Sequence, residues 1–173
     1  MRVLAFVAAA FVVLIQTPVQ ADVTQADLQI AARALSFMER PLSGTVRLGV
    51  VYNPGDSRSI QSADAVVAML GTGLKVGNLV LVPVRVAVEQ AAVAQVDAYF
   101  LLDGLGDRAR PISEATEKKK IPCFTLDLAQ VQNGLCALGV QVEPKVQIYA
   151  NRAAAARSDT TFVSMFRMMI TEF

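Results

Sequence analysis

The sequence predicts a single α/β domain of three layers, a mostly parallel sheet flanked by helices and closed by an antiparallel C-terminal hairpin. Three observations predict it. Short apolar, β-branched runs recur at 46–52, 79–88, 96–102 and 121–126. Such runs, lacking polar alternation, suit strands covered on both faces. Segments of helical period or helical composition separate them, and strands alternating with helices build parallel sheets. Residues 135–142 and 145–150 are joined only by Glu143-Pro144. A connection that short demands an antiparallel hairpin.

Taken in order, residues 1–21 read as a signal peptide. Arg2 is a short positive start, 3–15 is an apolar run too short to span a bilayer, and Val19-Gln20-Ala21 offers small residues to a signal peptidase. Cleavage there leaves residues 22–173 as one domain of roughly 150 residues, enough for a core, with no membrane span. Residues 23–40 carry apolar positions at Leu28, Ala31, Ala32 and Leu35, a helical period that Thr24 or Asp27 can open and Pro41 ends. Asn53-Pro54-Gly55-Asp56 is turn chemistry after the first strand, and Ser57 or Ser59 can cap the helix that runs on to Met69. Pro83 inside the second run favours a sheet edge or a strand break. A short Ala-rich helix is expected over 89–95. A polar helix follows over 107–120 and ends in three lysines, a solvated C-terminus that offsets the helix dipole. Asp127 can cap one helical turn ending at Asn133-Gly134. Residues 152–173 are expected to form the closing helix, capped by the Asn151 side chain.

Composition narrows the function. The full chain carries 16 Lys and Arg against 15 Asp and Glu, a net charge of +1, and no His or Trp. Arg2 is the only charged residue in 1–21, so the mature chain is neutral and has no electrostatic footprint for nucleic acid. Without His, the commonest general base and metal ligand are absent. The serines have no base to activate them, and Cys123 lies in an apolar run where a thiol is inert. The chain reads as a non-enzymatic protein needing no cofactor.

Four features could still carry a site. Asp56, Asp103 and Asp127 each follow a predicted strand, at the edge where open α/β sheets bind ligands. Together they could hold a cation; singly, each is an ordinary turn or cap residue. The 53–59 loop and Gly104-Leu105-Gly106 could face an anion, but neither holds a full phosphate-binding pattern, and both read as strand-to-helix turns. Cys123 and Cys136 are thirteen positions apart in strands that could be neighbours, so they form either a disulfide or two buried thiols. The last segment, with Phe162, Met165, Phe166, Met168, Met169 and Phe173, is apolar around most of a helix. It is either fully buried or, at Phe166, Met169 and Phe173, an exposed surface for a partner.

The tail resembles the C-terminal half of the YfiR family of small exported α/β proteins. The residues that carry the resemblance are Gly134, the strands around Val140 and Ile148, Asn151, Ala153-Ala154-Ala155 and Ser164. At the front, Phe37-Met38-Glu39-Arg40-Pro41 followed by Leu48-Gly49-Val50-Val51 matches that family's first helix end and first strand. Arg40 stands where the family has an aromatic residue, Arg152 where it has an apolar one, and Asp159 where Gly is usual. The resemblance implies a periplasmic regulator that holds an inner-membrane signalling protein of the diguanylate cyclase type inactive, and so controls cyclic-di-GMP and biofilm output. Arg40 belongs to the partner surface on that reading. Residues 48–55, 96–99 and 120–124 also resemble one lobe of a transporter substrate-binding protein. That likeness implies a small-molecule binder, using one open edge or a homodimer.

Overall fold

The computed structural model describes residues 23–173; the expected signal peptide lies outside the described residues. α1 (Gln25–Leu35) is opened by both sequence candidates at once. The Thr24 hydroxyl accepts from the Asp27 N–H, and the Asp27 carboxylate accepts from the Thr24 N–H, a reciprocal capping box. Leu28, Ala31, Ala32 and Leu35 form its buried face. The helix ends five residues before the expected stop, because Met38 leaves it to bridge Phe162.

β1 (Gly44–Tyr52) leads through the expected turn into α2 (Ser57–Leu70). Asp56, not either serine, is the cap: its carboxylate accepts from the Arg58 N–H at 2.9 Å. Ser59 is buried instead, its hydroxyl oxygen accepting from the Asn53 N–H at 2.9 Å. A hairpin not expected from the sequence follows. β2 (Leu74–Val76) pairs antiparallel with β3 (Leu79–Ala87) about Gly77-Asn78, a two-residue turn with Gly77 at φ +60. Pro83 faces Leu48 of β1 on one side. β2 reaches only as far as Leu81 on the other. Pro83 thus lies where β3 is locally the sheet edge, the place a strand tolerates proline.

The expected helix over 89–95 shrinks to a 3-10 turn, Val88–Gln90. β4 (Ala98–Leu101) then leads through a second 3-10 turn, Gly106–Ala109, into α3 (Arg110–Lys119). β5 (Cys123–Thr125) and α4 (Leu128–Gln132) follow, with Asp127 capping α4 by accepting from the Ala129 N–H at 2.8 Å. β6 (Leu138–Gln141) and β7 (Gln147–Ala150) form the expected hairpin. α4 lies directly on β6: a Cβ on Gly139 would stand 2.6 Å from Val131 Cγ2.

The closing helix is a correction. α5 (Arg152–Arg157) stops after six residues, α6 (Ser164–Arg167) is one turn, and β8 (Thr171–Glu172) pairs parallel with β7. Ser158-Asp159-Thr160 explains the stop. The Ser158 hydroxyl donates back to the Ala154 carbonyl at 2.9 Å, the Thr160 N–H to the Ala155 carbonyl at 2.9 Å, and Asp159 takes φ +59. Such side chains offer the backbone an alternative to helix. Asn151 does cap α5, accepting from the Ala154 N–H at 2.9 Å.

The sheet order is β2-β3-β1-β4-β5-β6-β7-β8, with β3, β1, β4, β5 and β6 mutually parallel. The five parallel strands follow a doubly wound order. Val50, Phe100, Phe124 and Leu138 pack with α1, α2, Phe162 and Phe166 on one face. Val51, Tyr99 and Leu101 pack with Ile112, Ala115 and both cysteines on the other. The three-layer α/β expectation holds, including the antiparallel C-terminal hairpin.

Cys123 in β5 and Cys136, two residues before β6 rather than inside it, form a disulfide with Cα atoms 5.2 Å apart. Both are buried, and the loop they close contains α4. Closing a loop of this length stabilises by about 3 kcal/mol in the chain-entropy model. Reduction, or Cys123→Ala with Cys136→Ala, is expected to lower the melting temperature by about 10 °C. Two free thiols in folded protein taken from an oxidising compartment would contradict it.

Arg47 of β1 holds Asp97 by Nε at 3.0 Å, Nη2 at 2.8 Å and its backbone N–H at 2.8 Å. The guanidinium hydrogen bonds, above all, keep the Asp97 carboxyl below its ordinary value. The unfolded chain therefore binds this proton more readily. The pair's contribution is complete above the ordinary carboxylate pKa, about 4, and fades as pH falls through the folded value. Urea unfolding of Asp97→Asn should show a shallower loss of stability below about pH 4 than the parent; identical slopes would show that the pair contributes nothing.

Candidate functional site

In an open α/β sheet, ligands collect at the carboxyl ends of the strands where the order reverses. Here β1 is followed across the sheet by β3 on one side and by β4 on the other. The reversal therefore lies between the ends of β1 and β4. Three loops meet there, after β1, β3 and β4, and one side chain joins them. Arg108 Nη1 donates to Asn53 Oδ1 at 3.0 Å and to Glu89 Oε1 at 3.2 Å. Asn53 Oδ1 also accepts from the Gly55 N–H at 3.0 Å, which shapes its own turn. Arg108 and Glu89 are each about half exposed, at 55% and 57%. The site thus presents a guanidinium and a carboxylate side by side, both open to solvent.

The three acids expected at this edge are spent differently. Asp56 and Asp127 are helix caps. The Asp127 N–H also donates to the Thr125 hydroxyl at 3.0 Å, closing its turn. Asp103 is partly buried in the loop after β4. Among the described residues no three His, Cys, Asp or Glu side chains stand together as a metal site. In the 53–59 loop the N–H groups of Gly55, Asp56 and Arg58 are used within the loop, which is turn and cap geometry. Gly104 and Gly106 take φ +77 and +50 around a buried Leu105, which is turn geometry.

Two supports behind this edge could not be read from the sequence. Lys119, in the run expected to be only solvated, donates from Nζ to the carbonyls of Ala91 at 2.8 Å and Ala94 at 2.6 Å, and to the Tyr99 hydroxyl at 2.9 Å. The Tyr99 hydroxyl in turn donates to the Ala91 carbonyl. Burial pushes the Tyr99 phenol up to about 12 and lowers the Lys119 ammonium. These contacts fix the segment after Glu89. Gln130, buried on α4, donates from Nε2 to the Leu102 carbonyl at 3.1 Å, while its own carbonyl accepts from the N–H groups of Leu135 and Cys136. Gln130 therefore ties the disulfide loop to the carboxyl end of β4. Its Oε1 is buried and unpartnered among the described residues.

The expected partner surface divides. Phe166 is buried, stacked on Phe37 at 4.7 Å and tilted against Phe162, so it belongs to the core and not to a surface. Met169 and Phe173 are exposed, as are Met165 at 71% and Met168 at 81%. Phe173 stacks on Tyr149 at 6.0 Å. Arg40 is exposed but ion-paired with Asp159. No helix among the described residues is long and apolar enough to cross a membrane.

No family model and no curated protein matches the chain. Solved structures do. A conserved domain protein from Vibrio cholerae is similar with a TM-score of 0.59 and 14% identity, over 84% of this chain and 59% of that one. The ABC domain of Streptococcus pneumonia in complex with L-Trp is similar with a TM-score of 0.59 and 12% identity, over 84% and 60%. A substrate-binding protein with adhesive properties from Clostridium difficile, in its ligand-free open form, has a TM-score of 0.53 and 13% identity, over 85% and 58%. At such identities the likeness is one of fold, and the chain spans about three fifths of each of these structures.

Proposed function

We propose that the protein is an exported, non-enzymatic binding domain that takes a small molecule at the carboxyl edge between β1 and β4. The observation that carries this reading is Arg108 spanning the loops after β1 and β3 where the strand order turns. Its ion pair with Glu89 is half exposed, and such pairs are worth at most about 1 kcal/mol, so a ligand can exchange with it cheaply. A zwitterion matches both groups, its carboxylate on Arg108 and its ammonium on Glu89. One structurally similar domain was solved with L-Trp, which makes amino acids the first class to test. One sheet edge offers a single wall; a second copy of the chain is the simplest second wall. The disulfide supports export, since such bonds persist in oxidising compartments, and the apolar start of the chain agrees.

A thermal-shift and calorimetric screen of amino acids and small carboxylates is expected to give at least one saturable ligand. Arg108→Ala should weaken it about tenfold, the worth of 1.4 kcal/mol, while lowering the melting temperature of the free protein by no more than about 4 °C. A screen with no ligand, or a ligand indifferent to Arg108, ends this reading.

A second reading, regulation of an inner-membrane signalling protein as in the YfiR family, is favoured by the exposed Met165, Met168 and Met169. Methionine-rich surfaces adapt to partner proteins. Capture of the periplasmic region of a membrane diguanylate cyclase is expected on this reading, and it should be lost in Met168→Ser with Met169→Ser. Unchanged capture would rule out this surface.

A further inference from the structure

A cavity of about 380 Å³ lies at the other end of the sheet, between α5 and the C-terminal β8. β7 runs antiparallel to its neighbour, so Ala150 at its end faces Leu138, the amino end of β6. The cavity is thus remote from Arg108. Its volume falls within the range of ligand pockets, roughly 300–1,000 Å³.

Its walls come from the Asn-Arg-Ala-Ala-Ala-Ala-Arg run. Ala154 and Ala155 are buried against Ala137, and their small size lets α5 approach the sheet. Ala153 and Ala156 are exposed and line the cavity. No close packing demands alanine there; what alanine does at these positions is leave space. Phe162 adds an aromatic wall. The polar rim is uneven. Arg167 is committed to Glu172, with Nε at 2.7 Å and Nη2 at 3.0 Å on its two carboxylate oxygens, and Glu39 also acts on it. Arg152 has only a 3.7 Å approach of Nε to the same carboxylate, beyond hydrogen-bonding distance. Two guanidiniums therefore share one lining carboxylate, and Arg152 keeps its donors uncommitted among the described residues. Thr161 is turned away, its hydroxyl donating to Glu39 at 2.9 Å.

We propose that this cavity binds a small organic carboxylate, its charge taken by the Arg152 fork and its apolar body lying on Ala153, Ala156 and Phe162. A planar guanidinium with free N–H groups matches a carboxylate bidentately. The apolar wall excludes a purely inorganic anion as the best fit.

The test is an amide NMR titration of residues 22–173 with hexanoate, beside hexanol and inorganic phosphate as probes. Hexanoate should give saturable shifts at Ala153, Ala156 and Thr161, with hexanol and phosphate each about tenfold weaker. Arg152→Gln, at a side chain that is 66% exposed, should bring hexanoate down to the level of hexanol. Ala153→Leu should block all three by filling the space, with the charges intact. Arg108→Ala should leave the saturable shifts at Ala153, Ala156 and Thr161 in place, which separates this site from the carboxyl edge. Shifts that fail to saturate, phosphate binding as tightly as hexanoate, or an affinity that neither Arg152→Gln nor Ala153→Leu alters, would overturn the proposal.

Discussion

β1 is paired along both edges and covered on both faces, and the rest of the molecule is arranged to satisfy that. Its ladder to β3 runs the full nine residues, and to β4 from Leu48 to Val51. Val50 enters one apolar cluster and Val51 the other, both without solvent exposure. From Leu48 to Val51 the strand has no polar face to show water, which is why that stretch reads as an apolar run. Right-handed crossovers then put α2 on the face that α1 also covers and α3 on the other. The same arrangement creates the reversal of strand order and fixes where the loops of β1 and β4 meet.

Polar groups at that edge divide into those that build it and those that face out. Asp56 and Asp127 are used by the backbone, since each accepts from a helix N–H that would otherwise lack a partner. Lys119 and Gln130 are inward supports, satisfying carbonyls at positions 91, 94 and 102 that lie outside regular ladders. Partial burial lowers the Lys119 ammonium, and three oxygens surround its Nζ. Arg108 and Glu89 face outward. An acid following a strand is thus more informative about capping than about chemistry, and here the outward charges came from residues 19 positions apart.

The parallel strands, α2, α4 and the hairpin were legible because each rests on a local signal: an apolar run, a capping acid, a short Glu143-Pro144 link. β2 was not, being three residues long with only Gly77-Asn78 to mark it. The last segment failed for a different reason. Phe162 and Phe166 serve the core while Met165, Met168 and Met169 face out, and summed along the chain these two surfaces imitate one helix that is apolar all round. The Ser158-Asp159-Thr160 turn was present as composition, but its helix-breaking effect depends on hydroxyls reaching back to the carbonyls of Ala154 and Ala155. The Arg108–Asn53–Glu89 junction, whose members lie 55 and 19 residues apart, carries no sequence signal at all.

The C-terminal segment also answers a problem that any open sheet has. An exposed edge strand invites pairing with another chain. β7 would be such an edge, and β8 covers its last two residues, Tyr149 and Ala150. A two-residue strand has little ladder of its own, so side chains must hold it. Glu172 does so through Arg167, and that hydrogen-bonded pairing keeps its carboxyl below the usual range. The Phe173 N–H donates to the Ala150 carbonyl and its own carbonyl accepts from the Arg152 N–H. Because one carboxylate fastens the strand, it can fully engage only one of the two arginines beside it. Protecting the edge thus leaves the Arg152 side-chain donors uncommitted among the described residues, above a floor of alanines, and puts a hollow with a charged rim at the amino end of the sheet.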